Sequence, residues 1–401
     1  MSQPALRSGQ VAVVGIGALV SLASWLSVRP WDTAGWMIGA PFGRDFVNFW
    51  MAPRLVMAGN GAYLTDLPAY QGAIRTLFGL SLDPALVFVY PPHALLFLAP
   101  FALLPFLPAV CAWTALNLAA LTGALRACDT GRSLPRGLLT LLVCLSPPAV
   151  AMIVYGHFGG LIALAATLAV VEGQRRPWLA GFCLACLTVK PQLACVLGLI
   201  LLCGGYWRCL FASGVFTVAL VGLSVAAFGV EPWQRFVTVT MPMQSAFVTA
   251  FDARWIQTSI SVYFSARFWD LPAALAWTIQ GSVAAVAFAG AVTALRRGRP
   301  DPTRLLVILL AAIVILPYAS HYELAVVAPV LTLVVLDRAV EPAPPPLLVL
   351  AWITIPLARI LYVFDLPILS FVVAGGLFAL SRRLLADGWL APAPMDRPAR
   401  A

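Results

Sequence analysis

Of the 401 residues, 61% are hydrophobic and only 10% are charged, and the mean hydropathy is +0.92. An ordinary soluble domain is excluded, because about 25% of its residues would be charged. The net charge of +9 does not indicate a nucleic-acid partner, because most of the basic residues stand in short clusters between apolar runs, as in cytoplasmic loops. These clusters are Arg126, Arg132 and Arg136; Arg175 and Arg176; Arg296, Arg297, Arg299 and Arg304; and Arg382 and Arg383.

Apolar runs long enough to cross a bilayer, roughly 17 to 25 residues, recur from residue 11 to residue 381. A transmembrane barrel would show segments that alternate polar and apolar residues, which the chain lacks. We therefore predict an all-α polytopic transmembrane bundle of about ten to thirteen helices. It forms a single domain over residues 1–385, followed by a disordered cytoplasmic tail over 386–401.

The first run, from Val11 to Val28, follows Arg7 and predicts a retained helix whose N-terminus is cytoplasmic. Residues 29–85 then form the first extracytoplasmic loop, where we expect interfacial helices, one of them over 46–58. The arginine cluster after residue 125 requires an odd number of crossings between 86 and 127, whereas two apolar runs stand there. Either the run over 86–104 is re-entrant or the arginine rule fails for that loop.

A second polar loop, over residues 231–270, carries Trp233, Trp255 and Trp269, which favour a membrane interface. Neither long loop contains any of the eight cysteines, so structural disulfides are not expected. Cys183 and Cys186 form a C-x-x-C, but no histidine or second pair stands at zinc-ligand spacing, which favours helix packing. We expect neither a metal nor a cofactor.

Ionisable residues at membrane depth are costly and therefore mark candidate functional positions. The three histidines, His93, His157 and His321, each stand at the edge of an apolar run, and the single lysine, Lys190, interrupts another. Each histidine alone is compatible with an interface position, but together they suggest a polar cavity. Lys190 is equally compatible with a snorkelling helix end and with a cation that binds a phosphate.

Asp45 stands in the first loop beside Arg44, with Asn48 one helical turn further on. A carboxylate in a partly desolvated site can act as a general base towards a hydroxyl. The alternative is an ordinary helix cap or a solvated loop residue. Arg54 and Arg75, in the same loop, are further candidates for holding a phosphate.

Five segments in order resemble glycosyltransferase family 87, within the GT-C membrane glycosyltransferases. They are G-R-D-F-V-N-F-W-M-A-P-R-L-V-M-A-G at 43–59, V-Y-P-P-H-A-L-L-F-L-A-P-F-A-L-L-P at 89–105, Y-G-H-F-G-G-L at 155–161, A-G-F-C-L-A-C-L-T-V-K-P-Q-L at 180–193 and L-P-Y-A-S-H-Y-E-L-A at 316–325. In two places the chain departs from the family's pattern: His157 and Phe158 replace the usual Gln-Asn, and Glu323 replaces the commoner Asp. The first departure leaves open a different sugar or lost activity.

The resemblance implies transfer of a sugar, such as mannose or another hexose or pentose, from a polyprenyl-phosphate carrier to a lipid or glycan acceptor. Asp45 would be the general base of an inverting reaction on the extracytoplasmic side of a bacterial inner membrane. The donor's phosphate and sugar would contact Lys190, Arg54, Arg75, His157 and Gln192. The cavity would also include Arg44, Asn48, Tyr90, His93, His321, Tyr322 and Glu323.

Two other functions stay open at this point. A transporter or flippase for lipid-linked sugars would also need many helices and intramembrane polar groups, although no repeat relates the two halves of the sequence. A non-catalytic partner in envelope assembly is the other alternative. It predicts that Asp45 is dispensable.

Overall fold

The computed structural model describes residues 6–27, 43–78, 86–128, 133–250, 258–297, 300–337, 339–340 and 343–386. Within these ranges all regular secondary structure is helical, apart from one isolated antiparallel bridge between Ser259 and Ser320. The all-α prediction is confirmed. The expected disordered tail lies outside the described residues from position 387 onwards, as do Arg132, Trp255 and Arg299.

The α-helices follow one another in this order: α1 Ser8–Ser27, α2 Arg44–Met57, α3 Leu67–Phe78, α4 Ala94–Ala102, α5 Phe106–Cys128, α6 Arg136–Cys144, α7 Pro147–Tyr155, α8 Gly159–Val171, α9 Pro177–Cys186, α10 Pro191–Cys203, α11 Trp207–Phe228, α12 Glu231–Arg235, α13 Met241–Ala250, α14 Val262–Phe268, α15 Ala273–Leu295, α16 Pro302–Val314, α17 Ala328–Leu336, α18 Pro346–Thr354, α19 Ala358–Val363 and α20 Leu369–Ala386. Short 3₁₀ segments cover Gly61–Leu64, Leu187–Val189, His321–Val327 and Ile355–Leu357, and a π segment covers Phe236–Thr240.

Four helices of the described chain, α5, α11, α15 and α20, are long and apolar enough to cross a membrane, and the bent pair α6–α7 would make five. This is fewer than the ten to thirteen expected from the apolar runs. The difference arises because several runs are divided into helices of 10 to 17 residues. Pro191, for example, begins α10 and divides the run over 178–203 into two helices joined by a 3₁₀ turn. The chain is a polytopic helical bundle with many broken helices.

The run over 86–104 does not form a spanning helix. Its helical part, α4, has 9 residues and is about 14 Å long at 1.5 Å per residue, against a hydrocarbon core of ~30 Å. Only α5 is long enough to cross between residues 86 and 127, which gives one crossing there, an odd number. The re-entrant alternative for residues 86–104 therefore agrees with the described helices.

The helix expected over 46–58 is present as α2, but it is buried within the protein rather than lying on its surface. Its buried side chains include Phe46, Phe49 and Trp50, and the ring of Phe46 contacts the ring of Trp113 on α5 at 5.6 Å between centroids. The second long loop is also largely helical, because it contains α12, the π segment, α13 and α14. The described parts of both loops pack against the bundle and supply part of the wall of one polar cavity.

Candidate active site

A polar cavity of about 290 Å³ lies where α2, the α10 N-terminus, α13 and the segment over 316–323 meet. Its polar lining residues are Arg44, Asp45, Asn48, Tyr90, Lys190, Gln192, Gln244, Ser245, Tyr318, Tyr322 and Glu323. Eight of them were expected from the sequence, in four separate segments. The fold brings both candidate charges, the carboxylate of Asp45 and the ammonium of Lys190, to one space.

Asp45 is placed by an unusual entry into α2. Gly43 precedes the helix with a φ of 72°, and Gly156, which ends α7, has a φ of 68°. A Cβ on Gly156 would lie 2.7 Å from the Cα of Gly43, so the two backbones approach each other as closely as glycine allows. This contact holds the first turn of α2, and with it Asp45, against the α7–α8 junction.

The carboxylate of Asp45 is buried but not isolated. Arg44 Nη1 lies 3.7 Å from Asp45 Oδ1, and the hydroxyl of Tyr322 hydrogen-bonds with the same carboxylate. Burial raises the pKa of Asp45 above its ordinary value, while the positive charges of Arg44 and Lys190 and the hydrogen bond from Tyr322 oppose that rise. Asp45 is therefore an acid that holds its proton more tightly than an exposed aspartate and is a better base once ionised.

Lys190 and Glu323 form a buried ion pair across the cavity, with 2.5 Å between Nζ and Oε1. Lys190 ends the 3₁₀ segment before α10, and Glu323 lies in the 3₁₀ segment before α17. Both side chains thus sit at helix interruptions, where backbone geometry directs them inwards. The Lys190 ammonium also lies over the ring of Phe158, 5.3 Å from its centroid.

Tyr322, which hydrogen-bonds with Asp45, packs in an aromatic cluster with Tyr155, His157 and His321. The ring of Tyr322 is 4.7 Å from that of His157 and 4.9 Å from that of Tyr155, and Tyr155 contacts His321 edge-on at 5.2 Å. His157 is 2% exposed, and among the described residues neither of its ring nitrogens has a hydrogen-bond partner. His157 and His321 therefore pack behind the cavity and do not line it.

Three other sequence candidates lie elsewhere. His93 accepts or donates a 3.0 Å hydrogen bond with Thr188 and stacks on Trp233, outside the cavity. Arg54 donates to the carbonyl of Ala102 at 2.7 Å and lies over the ring of Trp50. Arg75 is exposed on α3.

Arg54 and Arg75 were expected beside a phosphate because they share the first loop with Asp45. Their helices turn them away from the cavity: Arg54 stands nine positions beyond Asp45 on α2, on an exposed side of that helix. Closeness to Asp45 in the sequence did not show on which side of its helix each arginine lies.

Three polar residues of the cavity were not foreseen: Gln244, Ser245 and Tyr318. Gln244 on α13 lines the cavity and donates a hydrogen bond to the carbonyl of Val89, which ties the second loop to the segment before α4. Tyr318 stands within the L-P-Y-A-S-H-Y-E segment, next to residues that were selected. A lone amide among apolar residues, as in M-P-M-Q-S-A-F, was the available signal for Gln244.

An almost wholly apolar groove of about 380 Å³ adjoins the polar cavity. The two share Tyr90 and Val189 as walls, and the groove continues between α4, α8 and α9 past Phe97, Ala165 and Phe182. Cys183 and Cys186 line it as well, so their thiols face apolar space. No group of three or more histidine, cysteine, aspartate or glutamate side chains within the described chain is arranged to hold a metal ion.

The arrangement is suited to chemistry between a lipid-linked anion and a hydroxyl. A cavity with two carboxylates, two cations and several hydroxyl and amide groups can bind a phosphate and a sugar, and the adjoining groove can hold a hydrocarbon chain.

The family model described as "Glycosyltransferase family 87" matches residues 88–317, which is more than half of the chain. The matched part contains Lys190, Gln192, Gln244 and the whole apolar groove, whereas Asp45 and Glu323 lie outside it. Comparison with curated proteins and with solved structures gives no match.

Proposed function

Because this chain belongs to glycosyltransferase family 87, we propose that it transfers a sugar from a polyprenyl-phosphate carrier to a lipid or glycan acceptor at the extracytoplasmic face of the bacterial inner membrane. Membership of the family indicates a membrane glycosyltransferase. The donor, the acceptor and the side of the membrane are what we propose. One observation carries it: the polar cavity with Asp45 and Lys190 shares a wall with an apolar groove, at Tyr90 and Val189. A water-soluble nucleotide sugar has no hydrocarbon chain that would occupy that groove.

Asp45 acts as the general base. Its carboxylate takes the proton of an acceptor hydroxyl as the hydroxyl oxygen attacks the anomeric carbon of the sugar. The bond between that carbon and the phosphate oxygen breaks, and the polyprenyl phosphate leaves with the electron pair. Attack from the side opposite the phosphate inverts the anomeric configuration. Tyr322 and Arg44 orient the carboxylate for this step.

The cationic side of the cavity stabilises the departing phosphate. Lys190 supplies an ammonium, and Gln192 stands in the first turn of α10, whose N-terminal N–H groups are unpaired within the helix. The polyprenyl chain occupies the apolar groove. The rings of Tyr90 and Phe158, which contact each other at 5.1 Å, separate the reacting polar groups from the chain.

Asp45→Asn should reduce sugar transfer by about a hundredfold or more, the scale expected when a general base is lost. The assay measures transfer from a panel of polyprenyl-phosphate sugars into membrane lipids and glycans, with purified protein in nanodiscs. The matched control is Asp66→Asn, because Asp66 is exposed in the same loop and caps α3 by accepting from the N–H of Ala69, which asparagine can also do.

Equal transfer by wild type and Asp45→Asn would contradict the assignment of Asp45 as the base. If wild type transfers nothing from any donor while it moves lipid-linked sugar across the bilayer of a proteoliposome, the proposal of a lipid-donor transferase falls and the transporter alternative replaces it.

A further inference from the structure

The charges that face the cavity cancel in the absence of a substrate. Arg44 pairs with Asp45 at 3.7 Å, and Lys190 pairs with Glu323 at 2.5 Å. A sugar phosphodiester adds one negative charge to this neutral set, in a space walled by aromatic and apolar side chains, where repulsion between an anion and a nearby carboxylate is weakly screened. The donor's phosphate and the carboxylate of Glu323 therefore compete for the same ammonium.

We propose that Glu323 occupies, in the ligand-free protein, the position on Lys190 that the donor's phosphate takes, so that donor binding displaces the Glu323 carboxylate. The inference rests on the proposed function and adds to it an internal competitor that sets the affinity for the anionic lipid. In the part of the chain that the structure describes, Glu323 is the one acceptor on the Lys190 ammonium.

The surroundings of Glu323 allow this exchange. The residue lies in a 3₁₀ segment, whose hydrogen bonds hold it less firmly than those of an α-helix. Its neighbours around the cavity include the phenolic side chains of Tyr90 and Tyr318, which are within electrostatic range of its charge. Those hydroxyl groups can donate to the displaced carboxylate, so that it does not remain buried and unpaired.

The Lys190–Glu323 pair also explains how a buried lysine can stay available to bind a phosphate. A buried ammonium without a partner is costly. Glu323 offsets the positive charge of Lys190 while the site is empty, and the phosphate does so when the donor is bound. A short, fixed partner from elsewhere in the bundle would make the ammonium inaccessible, whereas a side chain at a helix break can move.

Glu323→Gln removes the competing charge but keeps an oxygen that can accept from Lys190. We expect the affinity for a polyprenyl phosphate to rise about tenfold, the scale of one hydrogen bond to a charged group. Glu323→Asp, which shortens the carboxylate reach, should give a smaller rise and provides a second variant if Glu323→Gln folds poorly. Glu172→Gln is the control, because Glu172 pairs with Arg176 outside the cavity.

Lys190 makes binding directly measurable, because it is the only lysine in the chain. Its rate of reductive methylation, followed by mass spectrometry of protein in nanodiscs, reports access to this one ammonium. The rate is measured against increasing polyprenyl phosphate, inorganic phosphate and neutral polyprenol. Protection by inorganic phosphate would assign recognition to the phosphate alone, and protection by polyprenyl phosphate only would show that the groove contributes; neutral polyprenol should not protect.

Unchanged or weaker binding of polyprenyl phosphate by both Glu323 variants would overturn the exchange, even if wild type transfers sugar normally. Conversely, tighter binding by Glu323→Gln in a protein that shows no transfer would uphold the exchange and refute the proposed reaction. The two results are independent, because one is a binding measurement without sugar and the other is turnover.

Discussion

Asp45 is subject to two opposing influences on its proton. Burial raises its pKa above the ordinary value of 3.8, and the guanidinium of Arg44 is the largest of the influences that lower it. A general base must be ionised, so transfer should fail as the pH drops through the pKa of Asp45. The acid limb of activity should therefore lie at a higher pH than an exposed aspartate would give.

The pH profile tests this electrostatic role of Arg44. Arg44→Gln removes the nearby positive charge, so the pKa of Asp45 should rise further and the acid limb of kcat/KM should move to higher pH. Arg176→Gln is the control, because Arg176 is largely exposed and lies outside the cavity. An unchanged limb in Arg44→Gln would mean that Arg44 does not act on the group that titrates.

Site residues could be predicted from the sequence where burying their charge in an apolar chain would be costly. Asp45 and Lys190 stood out because charges are rare in such an apolar chain, Glu323 entered through the family resemblance, and all three line the cavity. Arg54 was misplaced for the opposite reason: an arginine near a loop is common, and nothing in the sequence fixed which face of α2 would be buried. Tyr318 and Gln244 carry no charge, so nothing in the sequence distinguished them as costly to bury.

At the scale of helices, several residues in and around the site lie where one helix ends and the next begins. Lys190 precedes α10, Glu323 precedes α17 and His157 separates α7 from α8. Where a membrane helix breaks, backbone N–H and C=O groups become available at depth, and they are tolerated only where protein or a polar cavity satisfies them. Proline and glycine in the sequence indicated such breaks, but counting apolar runs did not show which runs are divided into shorter helices.

The contact between Gly43 and Gly156 can be tested as the element that positions α2. Gly156→Ala places a Cβ 2.7 Å from Gly43 and requires alanine at a φ of 68°, a conformation that costs about 1–3 kcal/mol. We expect a lower melting temperature and weaker transfer, because α2 must shift and carry Asp45 with it. Thermal unfolding in detergent and the transfer assay measure the two effects.

Gly214→Ala is the matched control for Gly156→Ala. Gly214 lies in α11 with open space around its Cα and an ordinary helical conformation, so a methyl group there should lower neither the melting temperature nor transfer. Normal activity and stability in Gly156→Ala would show that the close approach is not needed to hold Asp45.

On the scale of the whole molecule, the two long loops, the bundle and the apolar groove form one working unit. The first loop supplies Asp45, the second supplies Gln244, and the broken helices between them supply Lys190. The groove opens between α4, α8 and α9, beside helices that the bilayer would surround. A lipid-borne sugar can thus reach the polar cavity without its chain leaving an apolar environment, which is the physical advantage of placing this cavity beside a groove.

The length dependence of the donor tests whether the groove and the cavity work together. Ala165→Phe fills the groove, and displacing two CH₂ groups of a bound chain, at ~0.8 kcal/mol each, should raise the KM for a long polyprenyl-phosphate donor by about tenfold. A short-chain donor that does not extend into the groove should be used equally well by wild type and variant. Ala285→Phe, on an exposed position of α15, is the matched control. An equal loss with both donors would mean that the substitution distorts the bundle, and no loss with either would place the polyprenyl chain elsewhere.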